Sequence, residues 1–266
     1  MSALAYTVGD STTMLRRNLR RLQRYPSLTL MLAGMPIVFL LLFVYVFGGQ
    51  LSHGLSANLS GGRSGRAGYL NYVTPGILLV TVAAAVQGTA IVVAMDMTSG
   101  IIDRFRTMAI ARSAVLTGHV LASLIQTLAS IGVVLGVAVA LGFRPDGGAL
   151  ASLAAIGLLA LFAFALIWLA TALGLAAKSV ETASNTPMFL TFLPFLGSSF
   201  VPASSMPAGL RQFAHYQPFT PATETLRGLL TGTPIGANGI IALGWSVGIA
   251  LASYLWARRL YANRRS

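Results

Sequence analysis

Apolar residues in this chain fall into six long runs, over about 28–47, 75–95, 114–141, 150–176, 185–201 and 235–256. A bilayer core of about 30 Å needs roughly 20 helical residues at about 1.5 Å of rise each. Five of the runs reach that length and the run at 185–201 falls slightly short. Pro187 and Pro194 interrupt it, which predicts a kinked or broken helix. The start of the second run is marked by Thr74, which can cap, and Pro75, whose missing N–H is harmless at a first helical position. The pattern predicts an all-α integral membrane protein with six transmembrane helices, forming one domain over residues 1–266.

The polar stretches between the runs carry their own periodicity. Arg16, Arg17, Arg20, Arg21 and Arg24 share one face of a helix, and Leu15, Leu19 and Leu22 fall on the opposite face. That pattern predicts an amphipathic helix over 11–25 lying on an anionic leaflet, and the same cluster also serves to set topology. Residues 96–112 read DMTSGIIDRFRTMAIAR, a helix-like polar element that cannot sit in lipid and has no catalytic chemistry of its own. A docking role is expected for it. After the fifth run, Pro202, Pro207, Pro218 and Pro221 cut residues 202–232 into pieces too short to span. Amphipathic helices are expected at 209–216 and 222–230, with Thr220–Pro221 as a start and Gly228 or Gly232 as an end. So long an apolar connection in a compact protein points to a re-entrant element.

Composition agrees with a lipid solvent: 55% of residues are hydrophobic, 9% are charged, and the mean hydropathy is +0.75. Soluble proteins carry roughly 25% charged residues. The net charge of +12 is no nucleic-acid signal, because the basic residues sit in short clusters at the ends of apolar runs. With a cytoplasmic N-terminus, 13 of the 18 basic residues lie inside and 5 outside (Arg63, Arg66, Arg144, Arg211 and Arg227). The positive-inside rule then puts both termini and the 96–112 segment in the cytoplasm of a multi-pass protein of the cell inner or plasma membrane. The first run is too long for a signal-peptide core and is read as a retained span.

Catalytic readings lack their parts. The chain has no cysteine, and His53, His119 and His215 lie in separate segments without a metal-ligand spacing. None of the six acidic residues falls in the middle of a run, which disfavours a proton- or ion-coupled carrier. The mid-run polar residues are neutral, such as Gln87, Ser123 and Gln126, and helix–helix hydrogen bonding is their expected use. Lys178, in AAKSVE, is the chain's lysine and lacks the glycine pattern of a phosphate-binding loop, so nucleotide energy has to come from another polypeptide. The spacings Gly132–Gly136 and Gly244–Gly248 are expected to reflect close internal packing.

Two stretches carry a family resemblance: YVTPGILL at 72–79 with AMDMTSGIIDRFRTMAIARSAVLTGHVL at 94–121, and LPFLGSSFVPASSMPAGLRQFAHYQPFTPATETLRGLLTG at 193–232. The chain resembles a type-2 ABC exporter permease of the daunorubicin/doxorubicin-resistance-like branch over most of its length. The resemblance implies that residues 100–112 form a coupling helix gripped by an ATPase. Gly100 opens it, Asp103, Arg104, Arg106 and Arg112 offer charged contacts, and Ile101, Ile102, Phe105 and Met108 can enter a groove on the partner. It implies an extracellular gate over 202–232 built on Pro202, Pro207, Pro218, Pro221 and Arg227. Two ATPase subunits would carry ATP and Mg, and a second, identical or homologous permease would face this one across a path. Phe39, Phe43, Gln87, Phe192 and Phe195 are the candidate path residues, on spans one, two and five.

A hydrophobic or amphipathic cargo, a drug or a lipid-like metabolite, is what the resemblance implies, with no cofactor, metal or nucleic acid bound by this chain. A glycan- or polyketide-type cargo and a non-transporting assembly subunit are the alternatives, and a membrane-embedded enzyme would need an acid, base or nucleophile cluster at one depth. The chain departs from the family pattern at Ala109, where proline is frequent, at His119, where arginine is common, and at Gln217, where asparagine usually precedes the proline. Fluorescent tags fused to the two termini are expected to report the cytoplasm, and an external signal from either would overturn the orientation.

Overall fold

The computed structural model describes residues 26–49, 65–98 and 112–263, which are helical apart from turns and short connections. The interfacial helix expected at 11–25 and most of the coupling segment therefore lie outside the described residues. Five helices among the described residues are long and apolar enough to cross a membrane. Helix α1 (Pro26–Leu41) runs on as a π-helical stretch, Leu42–Phe47. It is followed by α2 (Gly65–Thr98), α3 (Arg112–Ala140) and α4 (Gly148–Ala176), and the last long helix is α9 (Asn238–Asn263). Between α4 and α9 lie the short helices α5 (Val180–Asn185), α6 (Met188–Phe192), α7 (Ala208–Tyr216) and α8 (Phe219–Thr231), with a 3₁₀ turn at Ala203–Ser205.

Helix α2 is the axis of the fold. It touches α1, α3, α4, α5, α6 and α8, and its N-terminal half, from Gly68 to Ala83, is buried on every face. It also corrects the expected boundary. The helix begins at Gly65, in the left-handed conformation with φ +70°, ten residues before the expected start, and Pro75 lies inside it. Thr74 does not cap: its hydroxyl donates to Leu70 O at 2.7 Å, one turn back in the same helix. A proline in mid-helix costs about 3 kcal/mol. Here the neighbours packed around α2 hold the helix through it, and tertiary burial overrides the local stop signal.

The run at 185–201 is broken, in line with the interruption expected from its prolines. Pro187 sits at the N-cap of α6, and from Leu193 to Gly197 the chain continues as successive turns bonded three or four residues back. This segment packs backbone-close on α2. A Cβ at Gly76 would lie 2.6 Å from Ser199 Cβ and 2.7 Å from Ser199 O, so a side chain there would push the turns away. Helix α8 begins two residues before the expected Thr220–Pro221 start, with Pro218 at its N-cap. Of the two expected ends, Gly232 is the one used: its φ of +72° places it in the left-handed region, and its N–H bonds Gly228 O. The end of α8 is tied to the α3–α4 connection, where Asp146 N and Gly147 N donate to Leu230 O at 2.8 and 3.3 Å.

The glycines divide unexpectedly. A Cβ added at Gly132, Gly136, Gly244 or Gly248 would meet nothing within 4 Å, so the GxxxG spacings do not mark close packing within this chain. Close approach occurs instead at Gly174 of α4, where a Cβ would sit 2.6 Å from Ala90 O of α2. Replacing Gly174 with alanine forces two buried backbones apart. We expect about 1–3 kcal/mol of destabilisation, read as a lowered melting temperature of the purified chain in detergent. Gly157→Ala, in the same helix but with open space around it, should leave the melting temperature unchanged or slightly raised.

Candidate functional site

Three groups of residues gather the polar and aromatic chemistry of the chain. The first surrounds Arg227, which is only 4% exposed on α8. Its Nη1 pairs with Glu224 Oε1 at 2.7 Å, one turn earlier on the same helix. Nη2 donates to Ser198 O at 2.8 Å, Nε donates to Tyr72 O at 3.3 Å, and the guanidinium lies 3.8 Å from the centre of the Tyr72 ring. A buried charge is tolerated when it is paired and hydrogen-bonded on every side, and the planar fork of arginine can do this in three directions at once.

Neighbouring side chains serve the rest of the 198–200 backbone. Tyr72 OH donates to Ser198 O at 3.3 Å, Tyr69 OH donates to Phe200 O at 3.4 Å, and Ser198 N donates to Thr220 Oγ1 at 3.3 Å. Ser199 and Thr223 share a hydroxyl bond of 3.2 Å. The absence of a side chain at Gly197 lets Gln217 and Thr220 close in, since a Cβ there would lie 2.4 Å from Gln217 Nε2. The Asn71 Oδ1, Ser198 Oγ and Gln217 amide atoms, all buried, have no hydrogen-bond partner among the described residues.

Of the residues expected at the gate, Arg227 is thus the one that ties elements together. Pro202, Pro207 and Pro218 sit at the N-caps of the 3₁₀ turn, α7 and α8, and Pro221 lies in the first turn of α8. They punctuate the chain without converging. Tyr72 and Ser198, whose carbonyls Arg227 bonds, carry no mark in the sequence, because a backbone acceptor far away in the chain leaves none in residue type.

The second group is aromatic. Phe43 stacks on Phe200 at 4.3 Å, Phe200 on Phe195 at 4.9 Å, and Phe195 meets Phe39 edge-on at 5.3 Å. Three of the five candidate path residues therefore meet in one ladder between α1 and the broken segment, completed by Phe200. Phe192 stands apart and half exposed. Gln87 is elsewhere: its Nε2 donates to Ser184 O at 3.2 Å, joining α2 to α5.

The third group flanks the segment expected to couple. Gly100, Ile102, Asp103, Arg104, Phe105, Arg106 and Met108 lie outside the described residues, as do Arg16, Arg17, Arg20, Arg21 and Arg24. Arg112 opens α3. The helices on either side of the segment are clasped together, with His119 Nε2 of α3 3.0 Å from Asp96 Oδ2 of α2 and both side chains mostly buried. Beside this pair, a cavity of about 450 Å³ lies between α1, α2 and α3, with Gln87, Gly88, His119, Ser123 and Gln126 in its wall.

Removing the Arg227 fork leaves two carbonyls and a carboxylate short of a donor. Arg227→Gln is expected to cost about 1.5–3 kcal/mol, measured by thermal unfolding in detergent. Arg227→Lys, which keeps the charge but loses the fork, should fall between it and the parent. An unchanged melting temperature in both would overturn the central role of this side chain.

A family model described as ABC-2 type transporter matches residues 11–231. The chain is 28% identical over 265 residues to the daunorubicin resistance ABC transporter permease protein DrrB1 of Streptomyces coeruleorubidus, covering 99% of this chain and 90% of that protein. It is also 28% identical over 177 residues to the probable doxorubicin resistance ABC transporter permease protein DrrC of Mycobacterium tuberculosis, strain CDC 1551 / Oshkosh, covering 65% of this chain and 64% of that one. The DrrC of strain H37Rv gives the same values.

Proposed function

This chain belongs to the ABC-2 type transporter family, as its non-catalytic membrane permease subunit, and from that premise we propose that it is half of an exporter of hydrophobic or amphipathic molecules. The observation that carries the direction and cargo is the similarity, over 99% of the chain, to a permease named for daunorubicin resistance. The family implies partner ATPase subunits. In this reading there are two of them, holding ATP and Mg, and a second permease, identical or homologous, faces this one.

The segment at 96–112 is the point where the ATPase grips. It begins in the last residues of α2, the most enclosed helix, and ends at the first residue of α3. A push on it is delivered to two helices joined by the His119–Asp96 pair. Both termini are cytoplasmic, and α7, α8 and the turns before them form the outer gate. The arginine-rich helix at 11–25 lies on the inner leaflet and moves with the ATPase.

Asp103→Ala with Arg106→Ala tests the docking role. A charged contact worth about 1.5–3 kcal/mol corresponds to roughly tenfold or more in affinity. The double variant should insert normally, lose that much affinity for the ATPase, and uncouple ATP hydrolysis from export in proteoliposomes. Unchanged export with unchanged ATPase binding would overturn this assignment. Failure of any ATPase to co-purify with the parent chain would favour a non-transporting assembly subunit instead.

A further inference from the structure

The cavity between α1, α2 and α3 is separate from both the aromatic ladder and the Arg227 cluster. It lies where the N-terminal half of α1, the C-terminal half of α2 and the N-terminal half of α3 converge, so it occupies the half of the bundle beside residues 99–111. Its volume of about 450 Å³ falls within the range of roughly 300–1,000 Å³ of small-molecule sites. Met31 and Met35, both largely exposed on α1, form one rim, and Ile91 and Val92 of α2 add apolar wall. Methionine side chains adapt to irregular apolar shapes more readily than branched ones.

The polar wall is selective. Gln87 has already committed its amide to Ser184, and His119 is paired with Asp96. Gln126 makes no hydrogen bond among the described residues, and neither does the Ser123 hydroxyl one turn earlier on the same face of α3. An amide facing an apolar cavity at membrane depth is costly unless something bonds to it. No unpaired charge lines the cavity among the described residues, so an ionic headgroup would find no counter-charge among them.

We propose that this cavity binds an amphiphile with an uncharged, hydrogen-bonding head, which Gln126 and Ser123 hold while the apolar body lies against Met31, Met35, Ile91 and Val92. The ligand enters from the bilayer, past the methionine rim. Its meaning as a loading site for export rests on the function proposed above; the binding itself does not.

The test uses the full chain with its ATPase partner in lipid nanodiscs. The probe is a monoacylglycerol carrying a diazirine on its acyl chain, with an alkyl phosphate and an alkyl trimethylammonium of the same chain length as charged comparisons. Photolabelled peptides are mapped by mass spectrometry. The uncharged probe should label 84–92 and 119–127 well above the exposed face of α9 around Ile240, and the charged probes should not.

Gln126→Leu, which removes the amide, should lower that labelling about tenfold. Gly88→Leu should do the same by filling the space, since a Cβ at Gly88 meets nothing within 4 Å and the substitution leaves the helix intact. Labelling that is equal on α9, equal for the charged probes, or indifferent to both variants would overturn the site. Labelling by a short-chain water-soluble version but not by the bilayer-loaded probe would overturn entry from the membrane. A labelled cavity in a protein that exports nothing would leave the site standing and remove only the export reading.

Discussion

A stretch of backbone without a helix, between Phe192 and Pro202, sits against the most buried helix of the fold, and the need to satisfy its carbonyls organises what surrounds it. Buried carbonyls have to find a donor within the protein, and residues 197–200 of this stretch are buried. Ser198 O takes two, from Arg227 and Tyr72, and Phe200 O takes one from Tyr69. Those donors come from α2 and α8, so both helices are fixed relative to the turns. Gly76 completes the arrangement by leaving room for Ser199. The charge on Arg227 is the consequence of this geometry. One rigid fork reaches the turn, α2 and Glu224 together, at distances that separate neutral side chains would be hard pressed to match.

This arrangement also divides the molecule into two ends with different chemistry. Around Arg227 the polar groups are dense and mostly bonded to one another. Beside residues 99–111, among the described residues, the ion pair His119–Asp96 joins the helices that enter and leave that segment. The long helix α2 connects the ends without a break, carrying Tyr69 and Tyr72 near its start and Asp96 near its finish. Its N-terminal half is enclosed by protein, and its C-terminal half is open to the cavity beside α1 and α3.

Apolar periodicity made the long helices legible from sequence, because the length needed to cross lipid is written in residue count. It also located the break at 185–201, since two prolines in a short apolar run have few other outcomes. It misplaced the start of α2 by treating Thr74–Pro75 as a boundary. Local stop signals compete with burial, and the neighbours that enclose α2 are distant in sequence. The GxxxG spacings misled for a similar reason: spacing puts glycines on one face but does not say what meets that face. Among the candidate site residues, the prolines behaved as chain punctuation, and Phe39, Phe43 and Phe195 came together, although Phe192 and Gln87 did not join them. The bonds of Arg227 to Tyr72 O and Ser198 O were not legible, because main-chain acceptors distant in sequence leave no mark in residue type.

The enclosure of α2 has a consequence for how this sequence can vary. A helix that faces lipid accepts almost any apolar residue of almost any size, because the hydrocarbon reshapes itself around it. A helix surrounded by protein has no such freedom: volume, hydroxyl position and missing side chains are all specified by neighbours, as at Tyr69, Tyr72, Gly76 and Ala90. Drift should therefore accumulate on surfaces such as that of α9, which is largely exposed, while the enclosed half of α2 keeps its identity residue by residue like the interior of a water-soluble protein. In a chain built for lipid, the segment that least touches lipid is the one whose sequence has the least room to change.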